Sequence, residues 1–293
     1  MIWCAPWELA TTVSNNGGLG LIGSGSMKPD VLKTHIRKCK LNTNKPFGVN
    51  IPLMYPDVDR HIQTIVEEDV PIVVTSAGNP AKWTAFLKDH GIKVIHVVSS
   101  ARFAKKACDA GVDAVVAEGF EAGGHNGREE TTTMCLVPMV IDAVDIPVIA
   151  AGGIGSGRAI LAAFALGAEG VQIGSLFAAS KESSAHENFK KAIIHVGEGE
   201  THLALKQLSP VRLINNGFYE KVKESELKGS SIEELCILLG KGRSKKGMFE
   251  GDMSEGELEI GQVAAQIREI RGVSEIMDRL LEEYEEALNK IKR

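Results

Sequence analysis

The feature that most constrains the fold of this chain is a regular alternation of short apolar runs and amphipathic stretches over its first two-thirds. The apolar runs are rich in Val, Ile, Leu and Ala, which is typical of strands covered on both faces. Strict alternation of strands with helices predicts a parallel sheet. The seven predicted strands are Leu19–Gly23, Phe47–Leu53, Pro71–Gly78, Lys93–Ser100, Ala114–Phe120, Pro147–Gly153 and Gly170–Ser175. Helices are predicted between them, among others over Pro29–Lys40, Ala101–Ala110 and Ser156–Leu166.

The number of strands favours a TIM-type (β/α)8 barrel over an open sheet. Such a barrel has eight strands, and the chain opens with "MIWCAPWELATTVSNNGG", which reads as the first helix and its lead-in. We therefore expect a barrel whose first strand would lie before Met1. A seven-stranded open sheet is the alternative.

The pattern changes after Ala178, and this change predicts two parts of the chain. Residues 1–180 are predicted to form the barrel domain. Residues 181–293 are predicted to form a smaller helical subdomain that caps the barrel mouth. A charged amphipathic helix over Val273–Arg293 ends the chain and is expected to pack partly back on the barrel.

Composition excludes several classes of protein. The net charge of −5 is spread along the 293 residues, so no basic surface for nucleic acid is indicated. No apolar run is long enough to span a bilayer. The five cysteines are widely and irregularly spaced, which indicates free thiols rather than disulfides or a metal site. These features predict a cytoplasmic protein with no membrane partner and no metal.

Polar and glycine residues lie at or just beyond the carboxyl ends of the predicted strands. Active sites of (β/α)8 barrels occupy this face, and loops after the last two strands commonly bind phosphate. Here those loops read "AAGGIGSG" and "QIGS", and their glycines let backbone N–H groups approach an anion. An FMN or a sugar phosphate would suit them. The alternative is that these glycines only make tight βα turns.

One histidine lies in an unusually long connection, from Gly119 to about Thr133. His125 follows two glycines there, and an imidazole can act as acid, base or hydrogen-bond donor near neutral pH. Glu118, at a strand end, could accept a hydrogen bond from a ring N–H, whereas Glu121 could simply be solvated. The alternative for His125 is a residue that only caps the loop.

Six segments resemble one family of flavin enzymes. They are "PFGVNI", "VVTSAGNP", "HVVSSARFAKKACDAGVDAVVAEG", "EGFEAGGHNG", "VIAAGGIGSGRAILAAFALGAEGVQIGS" and "KKGMFEGDMSEGELEIGQVA". Together they resemble the FMN-dependent enoyl-ACP reductase II (FabK) family, which shares a superfamily with the nitronate monooxygenases (2-nitropropane dioxygenases). The resemblance covers nearly the whole chain.

The resemblance implies that the domain over residues 1–180 binds FMN and that His125 is the active-site histidine. Asn50 and Glu118 would contact the flavin ring, and the glycine loops would hold the phosphate. The cofactor-binding residues expected on this basis are Asn50, Ser76, Ala77, Gly78, Glu118, Gly123, Gly124, Ala151, Gly152, Gly153, Gln172, Gly174 and Ser175.

The resemblance also implies the reaction. NADH or NADPH would reduce the FMN, and a hydride would then pass to a trans-2-enoyl thioester on acyl carrier protein, as in bacterial fatty acid synthesis. The choice between NADH and NADPH stays open because no dinucleotide fingerprint is present. One alternative is nitronate oxidation with oxygen. Another is an inactive, truncated barrel, because family members begin with an extra strand. A homodimer is implied by the resemblance alone.

Overall fold

The computed structural model describes residues 1–292 and contains one parallel sheet of seven strands. All seven predicted strands are present, and they pair in chain order. Their bounds are β1 (Gly20–Gly23), β2 (Phe47–Pro52), β3 (Ile72–Ser76), β4 (Lys93–Val98), β5 (Ala114–Glu118), β7 (Val148–Ala151) and β8 (Gly170–Gln172). Three further strands, β6 (Gly124–His125), β9 (Thr201–Ala204) and β10 (Val211–Ile214), form a separate antiparallel sheet in the order β6-β10-β9.

The parallel sheet curls into a TIM-type barrel wall, as predicted. Within the described residues β1 and β8 form no ladder with each other. The first residues of the chain lie at the carboxyl ends of these two strands. Gly23 N–H donates to the Ala5 carbonyl over 3.0 Å, and a Cβ built on Gly174 would lie 3.8 Å from Met1 Sδ.

Helices surround the barrel where the amphipathic stretches predicted them. Those of the first two-thirds are α1 (Trp7–Asn15), α2 (Pro29–Asn42), α3 (Val58–Glu67), α4 (Thr84–Asp89), α5 (Ala101–Asp109), α6 (Thr133–Ile141), α7 (Gly157–Ala165) and α8 (Ser175–Ala178). Two of them begin with a serine cap: Ser100 Oγ accepts from Phe103 N–H, and Ser156 Oγ accepts from Ala159 N–H. Such caps satisfy first-turn donors and fix where the chain turns from loop to helix.

The remaining third contains four helices, but it is not wholly helical. The helices are α9 (Glu187–His195), α10 (Gly217–Leu227), α11 (Ile232–Leu239) and α12 (Val273–Ile291). The prediction of a helical subdomain omitted β9 and β10, which are only four residues long each. β10 is buried throughout because it is the central strand of its sheet. The division at residues 180 and 181 stays a prediction.

Helix α12 returns to the barrel and packs between α7 and α1. Gly157 N–H donates to Glu283 over 3.0 Å. A Cβ on Gly157 would lie 2.1 Å from Tyr284 N, so the two helix backbones touch at this point. Leu9 of α1 is buried in one cluster with Val273, Ile276 and Leu280 of α12. No helix within residues 1–292 is long and apolar enough to cross a membrane.

The layer between the parallel sheet and its helices is filled mainly by aliphatic side chains. Val49, Val73, Val94 and Val115 are fully buried there and belong to one cluster with helix residues such as Leu32, Ile62 and Leu136. One polar pair lies among them: Thr75 Oγ1 and His96 Nδ1 are 2.7 Å apart. Burial lowers the pKa of His96 to about 4, so this histidine is a neutral core residue.

Candidate active site

The register of the sheet places several of the predicted cofactor-binding residues at one end of the barrel. Glu118 lies beside Ala151, and Ala151 lies beside Gln172, each on the last position of its strand. These three residues form one row across β5, β7 and β8. We call this end of the barrel, formed by the carboxyl ends of the strands, the barrel mouth.

On the other side of the mouth the predicted residues belong to β2 and β3. Asn50 lies beside Gly23, the last residue of β1, and its side-chain amide donates to the Val74 carbonyl over 3.1 Å. Ser76 ends β3. Ala77 follows with a φ of 50°, a left-handed conformation that costs free energy in a non-glycine residue. The chain therefore turns sharply as it leaves β3, before Gly78.

Glu118 has a carboxyl group that none of the described residues satisfies. Burial raises its pKa to about 7, and the positive charge of the Met1 amino group opposes the shift. No side chain within residues 1–292 forms a hydrogen bond or ion pair with it. The side chain is partly exposed at the mouth, so this carboxyl is available to a ligand N–H.

The loop after β7 makes a tight turn with two left-handed glycines. The φ angles are 86° at Gly152 and 67° at Gly153. A Cβ on Gly152 would lie 2.7 Å from the Gly119 carbonyl oxygen, so packing alone already requires glycine there. The N–H groups of Gly152, Gly153 and Gly174 donate to no acceptor among residues 1–292. They are free to bind an anion.

The hydroxyl group of Ser175 is already used within the protein. Ser175 Oγ accepts a hydrogen bond from Gly261 N–H over 3.0 Å. Gly123 is also explained by packing, because a Cβ there would lie 2.4 Å from the Ile260 carbonyl carbon. The predicted roles of both residues in cofactor binding stay predictions.

The connection from Gly119 to Thr132, which we call the histidine loop, is fixed by the second sheet. Gly124 and His125 form β6 and pair with Arg212 and Val211 of β10. The buried Arg212 guanidinium also donates to the Phe120 carbonyl over 2.9 Å and to the Thr201 carbonyl over 3.2 Å. The backbone of His125 is therefore held in place.

The side chain of His125 is exposed and forms no hydrogen bond with Glu118 among the described residues. Glu121 is not merely solvated: its carboxylate accepts from Thr133 N–H over 2.9 Å and from Thr133 Oγ1 over 2.9 Å. It caps the first turn of α6 and so anchors the far end of the histidine loop.

A segment that the sequence analysis did not assign to the site crosses over the histidine loop. We call residues 257–262 the cover segment. Ile214 N–H donates to the Leu258 carbonyl, and Gln262 N–H donates to the Glu121 carbonyl, both over 2.9 Å. Together with the Gly261 contact to Ser175, these bonds carry the segment from β10 to the end of β8.

The cover segment brings two further acidic residues to the mouth. Burial, and then the neighbouring Glu259 charge, raise the pKa of Glu257 to about 8. Burial also raises the pKa of Glu259, and the His125 charge opposes that shift. The alternation in "ELE" could have indicated that both carboxyls share one face, but nothing in the sequence places that face beside His125.

The mouth fits a flavin nucleotide. Within the described part of the chain, the two glycine loops offer N–H groups without an acceptor, which could bind a phosphate. The Glu118 carboxyl has no side-chain partner there and could accept a hydrogen bond from a ring N–H. A Cβ on Gly174 would meet nothing closer than 3.8 Å, so space remains above this loop. Among residues 1–292 no group of three or more acidic, cysteine or histidine side chains could hold a metal ion.

Comparison with known proteins identifies the family to which this chain belongs. The family model for nitronate monooxygenase matches residues 1–60 and 53–283. The structure of FabK from Thermotoga maritima superposes with a TM-score of 0.94 at 43% identity, covering 100% of this chain and 93% of that one.

Two curated relatives lie in the same range of similarity. A probable nitronate monooxygenase of Staphylococcus haemolyticus is 32% identical over an alignment 333 residues long, gaps included. The alignment covers 97% of this chain and 92% of the relative. A Rhodococcus jostii protein, (3aS,4S,5R,7aS)-5-hydroxy-7a-methyl-1-oxo-octahydro-1H-indene-4-carboxyl-CoA dehydrogenase, is 37% identical over 226 residues. That match spans 77% of this chain and 64% of the relative, which is less than two-thirds of its length.

Proposed function

Because this chain belongs to the nitronate monooxygenase family and is a flavin-dependent oxidoreductase, we propose that it is an FMN-dependent enoyl-ACP reductase that uses NADH or NADPH. The observation that carries this proposal is the 43% identity to FabK from Thermotoga maritima over the whole chain. The probable nitronate monooxygenase of Staphylococcus haemolyticus is less similar, at 32%. A carboxyl-CoA, which is also a thioester, is named for the Rhodococcus jostii relative.

In this proposal the residues of the mouth hold the cofactor. The free N–H groups of Gly152, Gly153 and Gly174 would bind the FMN phosphate, and Glu118 and Asn50 would contact the ring. The chemistry that FMN supplies when bound is hydride transfer from a nicotinamide to the β-carbon of a trans-2-enoyl thioester.

His125 would act on the thioester rather than on the cofactor. Its exposed imidazole stands on β6, whose backbone is paired with β10. A hydrogen bond from the ring to the thioester carbonyl would draw electron density away from the β-carbon and stabilise the charge that develops on oxygen. The same imidazole can supply a proton to the reduced product.

The partners follow from the substrate. The thioester would be delivered by acyl carrier protein, which places the enzyme in bacterial fatty acid synthesis. We propose a homodimer as the working assembly. Both are proposals that rest on the resemblance to the reductase family.

The test is NAD(P)H oxidation by the purified protein, reconstituted with FMN, with and without trans-2-butenoyl-ACP. We expect NAD(P)H consumption that depends on the thioester and forms butanoyl-ACP in equal amount. The matched control is butanoyl-ACP, which has no double bond and should cause no consumption. Consumption that is the same with both thioesters would contradict the reductase proposal.

Nitronate oxidation is the second candidate, and the family model over residues 1–60 and 53–283 favours it. In that reaction His125 would lie beside the nitronate or take the α-proton of a nitroalkane. Oxygen consumption with ethyl nitronate, in the absence of NAD(P)H, measures it directly. Turnover with the nitronate and none with the enoyl thioester would assign this function instead.

A further inference from the structure

Two carboxyl groups of the cover segment, at the barrel mouth, have no side-chain partner among residues 1–292. Glu257 is only 7% exposed, and neither Glu257 nor Glu259 forms a hydrogen bond or ion pair with a side chain within residues 1–292. Arg243 is the cation whose charge opposes the rise in the pKa of Glu257. Its guanidinium is occupied by the carbonyls of Leu238 and Leu239 and by Glu255.

Both carboxyls lie on the same side of an extended segment. Leu258 and Ile260, which alternate with them, are 2% exposed and pack into one apolar cluster. Side chains two residues apart on an extended chain face the same way. Glu257 and Glu259 therefore face away from that cluster.

The face that they share borders the histidine loop. Glu259 Oε2 is 2.5 Å from the position of a Cβ on Gly124, the residue before His125. The charges of Glu259 and Glu257 both contribute to raising the pKa of Tyr55, after burial, to about 12. The two carboxyls of the cover segment thus lie near the histidine loop and near Tyr55, which follows β2.

We propose that Glu259, with Glu257 beside it, determines which charge a substrate can carry at the mouth: an anion binds only together with a proton taken up by this pair, whereas a neutral thioester binds without one. Two buried carboxylates and an anionic ligand would repel one another where little water screens them. A proton on the pair removes that repulsion and turns a carboxylate into a hydrogen-bond donor for the anion.

The other titratable groups around the pair would not produce the same pH dependence of anion binding. Glu118 has its pKa raised to about 7 by burial and so is already ionised above about pH 8. Burial raises the pKa of Cys4 and of Tyr55 to about 12, so both stay neutral there. His125 and the Met1 amino group oppose the shift of Glu259, and both are present equally in wild type and in Glu259 variants.

This inference deepens the proposed function, because an enoyl thioester is neutral at its reacting end and a nitronate is not. The part that concerns enoyl thioesters rests on that proposed function. The part that concerns anions rests only on the carboxyl pair. A binding measurement separates the two, because it needs no turnover.

The test is the affinity of the flavin-loaded protein for ethyl nitronate, measured without oxygen from the change in flavin absorbance between about pH 8 and about pH 10. Uptake of one proton makes the affinity fall about tenfold for each pH unit above the pKa of the pair. We expect this fall in wild type and a much flatter dependence in Glu259→Gln, so that the ratio of the two affinities grows in favour of the variant as the pH rises. Glu257→Gln should move the start of the fall to lower pH, because Glu259 then ionises more easily.

Two controls keep the test specific. The neutral N-acetylcysteamine thioester of trans-2-butenoate should bind wild type and Glu259→Gln equally at every pH. Glu250→Gln removes an exposed carboxylate that is paired with Lys245 and should bind nitronate as wild type does. A Glu259→Gln variant whose nitronate affinity falls as steeply as that of wild type would overturn the inference. An equally steep fall for the neutral thioester would overturn it too. If wild type shows no NAD(P)H oxidation with enoyl-ACP but its nitronate affinity falls with pH as expected, the proposed function is contradicted. The inference about the carboxyl pair is then still supported.

Discussion

At the scale of single residues, the site combines residues that could be predicted from the sequence with residues that could not. Glu118 and His125 could be predicted because Glu118 lies at the end of a strand and His125 lies in the loop that follows it, where a barrel places its chemistry. Glu259 could not, because 134 positions separate it from His125 (259 − 125) and only the fold of the last third joins them. The roles of these residues toward a flavin stay predictions, and substitutions can test them one at a time.

His125→Ala should reduce thioester-dependent turnover about a hundredfold or more, within the usual range for a lost acid–base group. The flavin content should stay at the wild-type level, because the β6 backbone pairing does not depend on the ring. Turnover and the ratio of flavin to protein absorbance measure the two effects. His90→Ala, an exposed histidine at the end of α4, is the control, and equal turnover in both variants would remove His125 from the reaction.

The buried His96 predicts a loss of stability in acid. Its pKa in the folded protein, about 4, lies below the ordinary value of 6.5, so folding favours the neutral ring. The contribution is complete above about pH 6.5 and is lost as the pH falls toward 4, by at most about 3 kcal/mol. Urea unfolding between these pH values should show this slope in wild type and a smaller one in His96→Gln. Equal slopes would mean that other groups cause it.

At the scale of elements, the parallel strands and their helices could be predicted because each is specified by its own local pattern. Continuous apolar runs do not depend on distant residues to be recognised as buried strands. The three strands of the second sheet differ. β6 has only two residues, and it exists because Gly124 and His125 meet β10 more than 80 positions later. Such pairing is set by tertiary structure, which sequence patterns do not report.

Arg212 is the residue by which this second sheet holds the histidine loop. Arg212→Met should lower the free energy of unfolding by about 2–4 kcal/mol, because the Phe120 and Thr201 carbonyls would lose their donors. Arg128→Met is the matched control: it also removes bonds to two carbonyls, of Lys206 and Leu208, but at an exposed position, where about 1 kcal/mol or less is expected. Urea titration compares the two, and equal losses would contradict a special role for Arg212.

At the scale of the whole molecule, the ring of helices is completed by α12. This helix packs against α7 and α1. The place where it docks could not be predicted, because Gly157 reads in the sequence as one more glycine of a βα loop. Its function as a contact point depends on α12 lying directly against it.

Gly157→Ala tests this closure. The added Cβ would lie 2.1 Å from Tyr284 N and 2.4 Å from the Leu280 carbonyl oxygen, so the helices must separate and stability should fall by about 1–3 kcal/mol. Gly170→Ala is the control, since its Cβ would meet only side-chain atoms of Ile149 at 3.7 Å or more. Thermal unfolding should show a lower Tm for Gly157→Ala alone. A Tm equal to that of the control would mean that α12 is not tightly docked.

The docking of α12 onto α1 also sets an order of events during protein synthesis. Leu9 of α1 emerges from the ribosome early, but the Val273, Ile276 and Leu280 side chains that cover it are made more than 260 residues later. A nascent chain at rates typical of translation needs on the order of ten seconds or more to cover that interval. For all of that time the apolar face of α1 lacks the side chains that cover it in the folded protein, and it is open to a chaperone or to a neighbouring nascent chain.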